Sequence, residues 1–148
     1  MGDIEFNISK GRTNYYASQA GTGNAALIVV PIESSGLETD ATLKDYDTLS
    51  AILAGTNTEQ TTMGRKTYTS VTVTTDDTND RTDADFANPV WTGATGNAVG
   101  ALIVCYDPDT TTGTDADLIP LTKHDFVVTP DGTDITGTVN TAGFFGAT

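Results

Sequence analysis

The stretch from Ala101 to Thr136 constrains the fold most strongly, because it describes a complete β unit. Apolar, β-branched runs of strand length alternate there with loops rich in Asp, Thr and Gly. The predicted order is a buried strand, an acidic loop, a short strand, and a strand that pairs with a last strand across a Pro-Asp-Gly turn: Ala101–Tyr106, Asp107–Asp117, Leu118–Leu121, His124–Thr129 and Thr133–Val139. The stretch has polar tips and no catalytic motif, which is typical of a protein that presents and joins surfaces.

The rest of the chain predicts further strands and one helix. Residues 25–33 form an unbroken apolar run and are expected to be a buried strand, whereas residues 68–75 alternate and are expected to be half-buried. Residues 86–92 predict a third strand, and the polar run 76–85 predicts a loop. The segment 12–19 is compatible with a brief helix or a strand. The helix is predicted between residues 40 and 54, where apolar side chains recur at helical spacing: Leu43, Tyr46, Leu49, Ile52 and Leu53.

These elements predict a mainly β fold in a single domain, residues 1–148. We expect an antiparallel β-sandwich or a partly closed barrel of about seven short strands with one α-helix. The frequent threonines support this prediction, since a β-branched side chain suits a pleated surface. Residues 1–16 are a candidate N-terminal contact arm, and the Gly-rich residues 142–148 are expected to form a flexible tail.

Charge and cysteine content exclude several classes of protein. The net charge is -13, from 20 acidic and 7 basic residues. Such a chain repels phosphate backbones and anionic lipid surfaces, so we expect neither nucleic acid nor a membrane as a partner. The single cysteine, Cys105, rules out an intrachain disulfide. The start of the chain lacks the features of a secretory signal, which predicts synthesis and folding in a cytoplasm.

The candidate catalytic groups favour structural roles. His124 is the only histidine, and its neighbours Lys123 and Asp125 are expected on the opposite face of the strand. No nucleophile accompanies it in the sequence. Cys105 lies within an apolar run and is predicted to be a buried thiol. Phosphate-binding glycine motifs are missing as well. We therefore expect no enzymatic activity, no catalytic residues and no cofactor.

The acidic loops are the only candidates for a metal site. Residues 76–85 and 107–117 carry several carboxylates, the ligands that Ca²⁺ prefers. Gly113 is nevertheless one position late for an EF-hand loop that opens at Asp107, and the final glutamate is missing. Asp and Thr are also common in ordinary turns. We predict solvated loops and no metal site.

Three long segments of the chain resemble small proteins encoded in the structural gene clusters of tailed bacteriophages and prophages. The segments are AALIVVPIESSGLETDATLKDYDTLSAILAG, RKTYTSVTVTTDDTNDRTDADFANPVWTGATG and ALIVCYDPDTTTGTDADLIPLTKHDFVVTPDGTDIT. The resemblance covers the chain from about Ala25 to Phe145 and implies a virion component assembled in the host cytoplasm. The expected role is that of a capsid decoration, or cement, protein that binds and stabilises the major capsid protein on the capsid surface.

A decoration protein must remain soluble before assembly and then bind through symmetry-related contacts, and an acidic surface favours the first requirement. A homo-oligomer is expected, and a trimer would match quasi-threefold positions on a shell. The candidate contact residues bring apolar mass close to the N-terminus: Ile4, Phe6, Ile8, Tyr15 and Tyr16. The same residues are equally suited to complete the domain core.

Other roles remain open at this point. A head–tail connector or a tail component needs similar self-complementary interfaces. A receptor- or glycan-binding β module could use tyrosines, Trp91 and the acidic loops. A hydrolase fragment is the last alternative, although the sequence offers no nucleophile site for it.

Overall fold

The structure, a computed structural model, describes residues 2–148, so Met1 of the predicted domain and arm lies outside the described residues. The strands are β1 Ile4–Glu5, β2 Ala26–Glu33, β3 Lys66–Tyr68, β4 Thr72–Asp76, β5 Arg81–Asp85, β6 Val90–Trp91, β7 Val99–Asp107, β8 Ile119–Val128, β9 Ile135–Thr136 and β10 Phe145–Ala147. The α-helices are α1 Thr13–Gln19, α2 Asp40–Leu43 and α3 Leu49–Ala54, and a 3-10 turn covers Asn7–Ser9. Among residues 2–148, no helix has the length and apolarity needed to cross a membrane.

A five-stranded antiparallel sheet, in the order β1-β8-β7-β2-β3, forms the centre of the molecule. We call it the main sheet. β2 and β7 pair along their whole length, from Ala26 opposite Asp107 to Glu33 opposite Val99. Both strands are buried on both faces, as expected of continuous apolar, β-branched runs. The predicted buried strands at residues 25–33 and 101–106 are therefore confirmed.

The first face of the main sheet packs against α2, α3 and the beginning of the N-terminal segment, which we define as residues 2–16. Alternate residues of β2 and β7, such as Ile28 and Ile103, point to this side. Cys105 lies among them and is fully buried, as the sequence predicted. The residues that cover this face from the other elements are Phe6, Leu43, Leu49, Ile52 and Leu118.

The second face is covered by two smaller antiparallel sheets, in the orders β10-β5-β4 and β6-β9, and by α1. Leu27 and Val29 of β2 point to this side, whereas the residue between them, Ile28, points to the first face. The covering side chains in the core are Ala17, Ala84, Phe86, Trp91, Ala94 and Ile135. The prediction of a mainly β antiparallel fold is confirmed, and no sheet among the described residues closes into a barrel.

The prediction of one helix between residues 40 and 54 is wrong in its number and continuity. The segment forms α2 and α3, separated by residues 44–48, and α1 is a third helix. Thr48 interrupts the helix because its backbone is extended. Its hydroxyl then caps α3 by accepting the N–H of Ala51 at 3.1 Å. The apolar side chains of both short helices nevertheless point to the same core, because α2 and α3 lie on the same face of the main sheet.

The prediction that residues 124–129 pair with residues 133–139 is wrong. Residues 119–128 form one strand, β8, which pairs with β7 and β1, while β9 pairs with β6. The Pro-Asp-Gly turn leads the chain away from β8 to the second face, where the N–H of Gly132 donates to Ala94 O at 2.7 Å. The chain bends at Gly132 and Thr133 without forming a hairpin, and the strand that follows belongs to a different sheet.

Two segments predicted to be irregular are strands. The loop prediction for residues 76–85 is wrong for β5, which pairs with β4 from Asp76 opposite Arg81 to Thr72 opposite Asp85. The Asp76 carboxylate accepts the N–H groups of Thr78 and Asn79 and so closes the hairpin turn. The tail 142–148 contains β10, which adds to the other edge of β5.

Candidate functional site

The five candidate contact residues of the N-terminal segment lie in three different environments. Phe6 is fully buried in the core of the first face. Ile4 and Tyr16 are half-buried against the two cores. Ile8 and Tyr15 are exposed, by 40% and 62% of their accessible surface. The structure thus divides the set into residues that complete the core and residues that face outward.

The N-terminal segment is bound along the domain and is not a free arm. Ile4 and Glu5 pair with Lys123 and Thr122 of β8. The N–H of Phe6 donates to Leu121 O at 2.9 Å, and the N–H of Asn7 donates to Lys44 O at 2.8 Å. The buried side chain of Phe6 adds an apolar anchor to these hydrogen bonds. Contacts to a partner from this segment would therefore be made by individual exposed side chains.

Three tyrosines form a continuous surface that we call the aromatic surface: Tyr15, Tyr16 and Tyr106. The rings of Tyr15 and Tyr16 meet edge-on with centroids 5.8 Å apart, and Tyr16 lies 5.1 Å from Tyr106. Tyr15 is the exposed member and the other two are half-buried. Aromatic side chains that keep one face accessible are common at protein interfaces.

Lys123 is a fully buried cation that ties three parts of the chain together. Its ammonium donates to Asp40 Oδ1 at 2.9 Å and to the carbonyl oxygen of Gly2 at 2.8 Å, and it contacts the carboxylate of Asp125. Burial by itself would lower the pKa of Lys123, but the hydrogen bonds to Asp125 and Asp40 outweigh it and raise that pKa. This residue is charged and holds β8, α2 and the N-terminal segment in place.

His124 points to the opposite face of β8, as the sequence predicted. Its Nδ1 lies 3.1 Å from Asp3 Oδ2, and its Nε2 lies 2.9 Å from Thr122 Oγ1. Both ring nitrogens are engaged, and Thr122 is buried beneath the ring. A threonine, a histidine and an aspartate in contact resemble a nucleophile, base and orienting acid, but the buried hydroxyl is not accessible to a substrate.

A groove runs beside β8 between the main sheet and the chain segment 137–146, and we call it the edge groove. It encloses a cavity of about 390 Å³. Four phenylalanines line it, Phe86, Phe126, Phe144 and Phe145, and the partly exposed Asp3, His124 and Asp125 lie at its rim. An apolar interior with a few polar rim groups is the usual composition of a binding pocket.

The sequence did not reveal the edge groove, because its walls are far apart along the chain. β8, the segment 137–146 and Asp3 come together only through the sheet order and the path of the chain after β9. The alternation at residues 122–125 was the one available signal. It predicts correctly that Lys123 and His124 face opposite sides, but it does not identify what lies opposite each of them.

Most carboxylates of the acidic loop 107–117 accept hydrogen bonds within the loop, whereas Asp115 pairs with Arg65 at 2.7 Å. Asp109 accepts hydrogen bonds from the N–H and hydroxyl of Thr111, and these bonds lower the pKa of Asp109. Asp117 accepts from the N–H and hydroxyl of Thr114, with the same effect on its pKa. No three His, Cys, Asp or Glu side chains in the part of the chain that the structure describes are grouped to hold a metal ion.

Burial also determines the state of the Cys105 thiol. The side chain is enclosed by the core of the first face, and this desolvation raises the pKa of the thiol. A neutral, inaccessible thiol is a poor nucleophile.

Comparison of this chain with known protein families, with curated proteins and with solved structures finds no match in any of the three.

Proposed function

We propose that the protein is a structural component of a bacteriophage virion, and that it decorates the capsid and stabilises the shell formed by the major capsid protein. The observation that carries the proposal is the exposed apolar surface on the N-terminal segment of an otherwise strongly acidic chain. Ile8 and Tyr15 stay exposed although the net charge is -13. The same role is the one that the resemblance noted in the sequence implies.

The mechanism that we propose is docking of a folded domain. The folded domain would present Ile8 and the aromatic surface without the N-terminal segment first having to become ordered, which lowers the entropic cost of association. Negative charge would keep the free protein soluble until it meets the shell. Many equivalent weak contacts around a symmetric shell would then add up to stable binding.

Purified shells that lack the protein provide the test. Added protein should bind at hundreds of copies per shell and raise the temperature at which shells rupture. Tyr15→Ser and Ile8→Ser should reduce shell occupancy, since both remove exposed apolar contacts without disturbing the core. Val90→Ser is the matched control, because Val90 is an exposed apolar side chain outside the N-terminal segment, on β6. Deletion of residues 1–10 is unsuitable because it removes β1 and the buried Phe6.

The outcomes separate the alternatives. A head–tail connector or tail component would be present in only about a dozen copies per virion, as expected of a ring. Binding of the isolated protein to glycans would favour a receptor-binding module. That module could not use Trp91, which is buried and donates its indole N–H to Gly64 O at 2.9 Å. A protein that neither co-purifies with particles nor binds them would contradict the virion role.

A further inference from the structure

The outer edge of β8 is only partly occupied. β1 pairs with Thr122 and Lys123, and the carboxylate of Asp3 accepts the N–H of Asp125 at 2.9 Å. No strand within residues 2–148 pairs with the outer edge of residues 126–128. Val127 is exposed by 86%, the highest value among the large apolar side chains of the described chain. Such an edge is a template for pairing with another extended chain.

The edge groove lies directly beside this open edge. His124, Asp125 and Phe126 of β8 form one of its walls, so a strand added to β8 would run along its rim. The side chains of a strand point alternately to the two faces of the sheet. Every second side chain of an added strand would therefore point toward the groove, whose lining includes Phe86, Phe126, Phe144 and Phe145.

The charge at the rim favours a basic segment. Asp3 is exposed by 63%, and hydrogen bonds from Asp125 and His124 outweigh the effect of its burial and lower the pKa of Asp3. The nearest cations are already paired, Lys123 with two carboxylates and Arg81 with Asp83 at 2.6 Å. A Lys or Arg side chain of a partner would complement the remaining negative charge.

We propose that the open edge of β8 and the edge groove bind an extended segment of another protein by strand addition. The backbone of the segment pairs with residues 126–128, an apolar side chain enters the groove, and a Lys or Arg side chain reaches Asp3. Main-chain pairing supplies affinity in this mode of recognition, and the pocket for alternate side chains supplies specificity. The inference goes beyond the proposed decoration role, which uses the aromatic surface, and does not depend on it.

The test begins with selection of binders from a random twelve-residue peptide library on the immobilised full chain. We expect enriched peptides that combine an apolar or aromatic residue with Lys or Arg at a spacing of two, on the same side of a strand. Fluorescence anisotropy of a selected, labelled peptide then compares variants. Val127→Lys should weaken binding about tenfold, because an edge lysine opposes strand addition and repels a basic segment. Ala142→Phe should do the same by filling the groove.

Matched controls exclude a general effect of charge or of folding. Thr74→Lys adds the same charge to an exposed position of another edge strand, β4, and should leave the affinity unchanged. Asp3→Asn should weaken the binding of basic peptides. Asp47→Asn, on the opposite side of the main sheet, should leave their affinity unchanged. Thermal unfolding of each variant confirms that the fold is intact.

Three results would overturn the proposal. One is the absence of any enriched peptide, and a second is a set of peptides that bind the Val127→Lys and Ala142→Phe variants as tightly as the original chain. The third is a concentration-dependent dimer in analytical ultracentrifugation that Val127→Lys abolishes, because the edge would then be occupied by a second copy of this chain.

Discussion

Lys123 shows how one buried residue can hold three parts of the chain together. A buried ammonium is tolerated only when carboxylates or carbonyl oxygens replace its lost water. Here Asp40, Asp125 and the Gly2 carbonyl do so, and they come from α2, β8 and the N-terminal segment. The side chain that the sequence places beside the histidine is thus a structural tie on the face opposite His124.

We expect Lys123→Ala to lower the free energy of unfolding by about 3 kcal/mol, because it removes one partner of a buried pair. Chemical denaturation at neutral pH measures this loss. Lys10→Ala is the control; this exposed lysine should change stability by no more than about 0.5 kcal/mol. Equal effects of the two substitutions would contradict the role of Lys123.

The difference in free energy of unfolding between the original chain and Lys123→Ala should depend on pH in a definite direction. Burial acts to raise the pKa of Asp40, but hydrogen bonds from Gly2 and Lys123 outweigh it and hold that pKa below 3.8. A lowered pKa in the folded state contributes stability above the unfolded value and loses it as the pH falls through the folded value. The gap between the original chain and Lys123→Ala should therefore narrow below about pH 4.

At the level of the elements, helix α3 depends on its cap. α2 and α3 are four and six residues long, too short to be stable without packing and capping. The Thr48 hydroxyl accepts the N–H of Ala51, whereas Thr39, the residue at the corresponding position before α2, makes no such bond to the backbone. The two threonines therefore form a matched pair for measuring the contribution of one cap.

We expect Thr48→Ala to lower the free energy of unfolding by about 1 kcal/mol through loss of the cap. Thr39→Ala removes only a contact with the Thr42 hydroxyl at 3.2 Å, so its effect should be clearly smaller. Chemical denaturation of both variants provides the comparison. If Thr39→Ala is as destabilising as Thr48→Ala, the hydroxyl of Thr48 does not act as a cap.

The strands show what the sequence could and could not predict. Residues 25–33 and 101–106 were predicted because an unbroken apolar run requires burial on both faces. β5 was missed because Arg81, Asp83 and Asp85 make it polar, and only Ala84 faces the core. β9 was given the wrong partner because a turn signal is local, whereas the choice of a sheet depends on contacts made after the turn. The edge groove could not be predicted for the same reason, because its second wall, residues 137–146, is positioned by the pairing of β9 and β10.

In the whole molecule, β2 and β7 supply side chains to both cores at once. Neighbouring residues such as Leu27 and Ile28 point to opposite faces, so neither core can lose its strands while the other stays intact. This arrangement predicts cooperativity across the layers. The aromatic surface and the edge groove, which both lie on the second face, would then share one unfolding transition with the core of the first face.

We expect Ile28→Ala to lower the free energy of unfolding by about 3 kcal/mol, since it leaves a cavity in the core of the first face. Trp91 is the only tryptophan and lies in the core of the second face, so its fluorescence reports on the layer that the substitution does not touch. If the layers unfold together, the transitions followed by Trp91 fluorescence and by far-UV circular dichroism shift by the same amount and coincide. The control Val127→Ala, on an exposed side chain, should shift neither. A Trp91 transition that stays at its original midpoint while the circular dichroism transition moves would show that the two cores are independent.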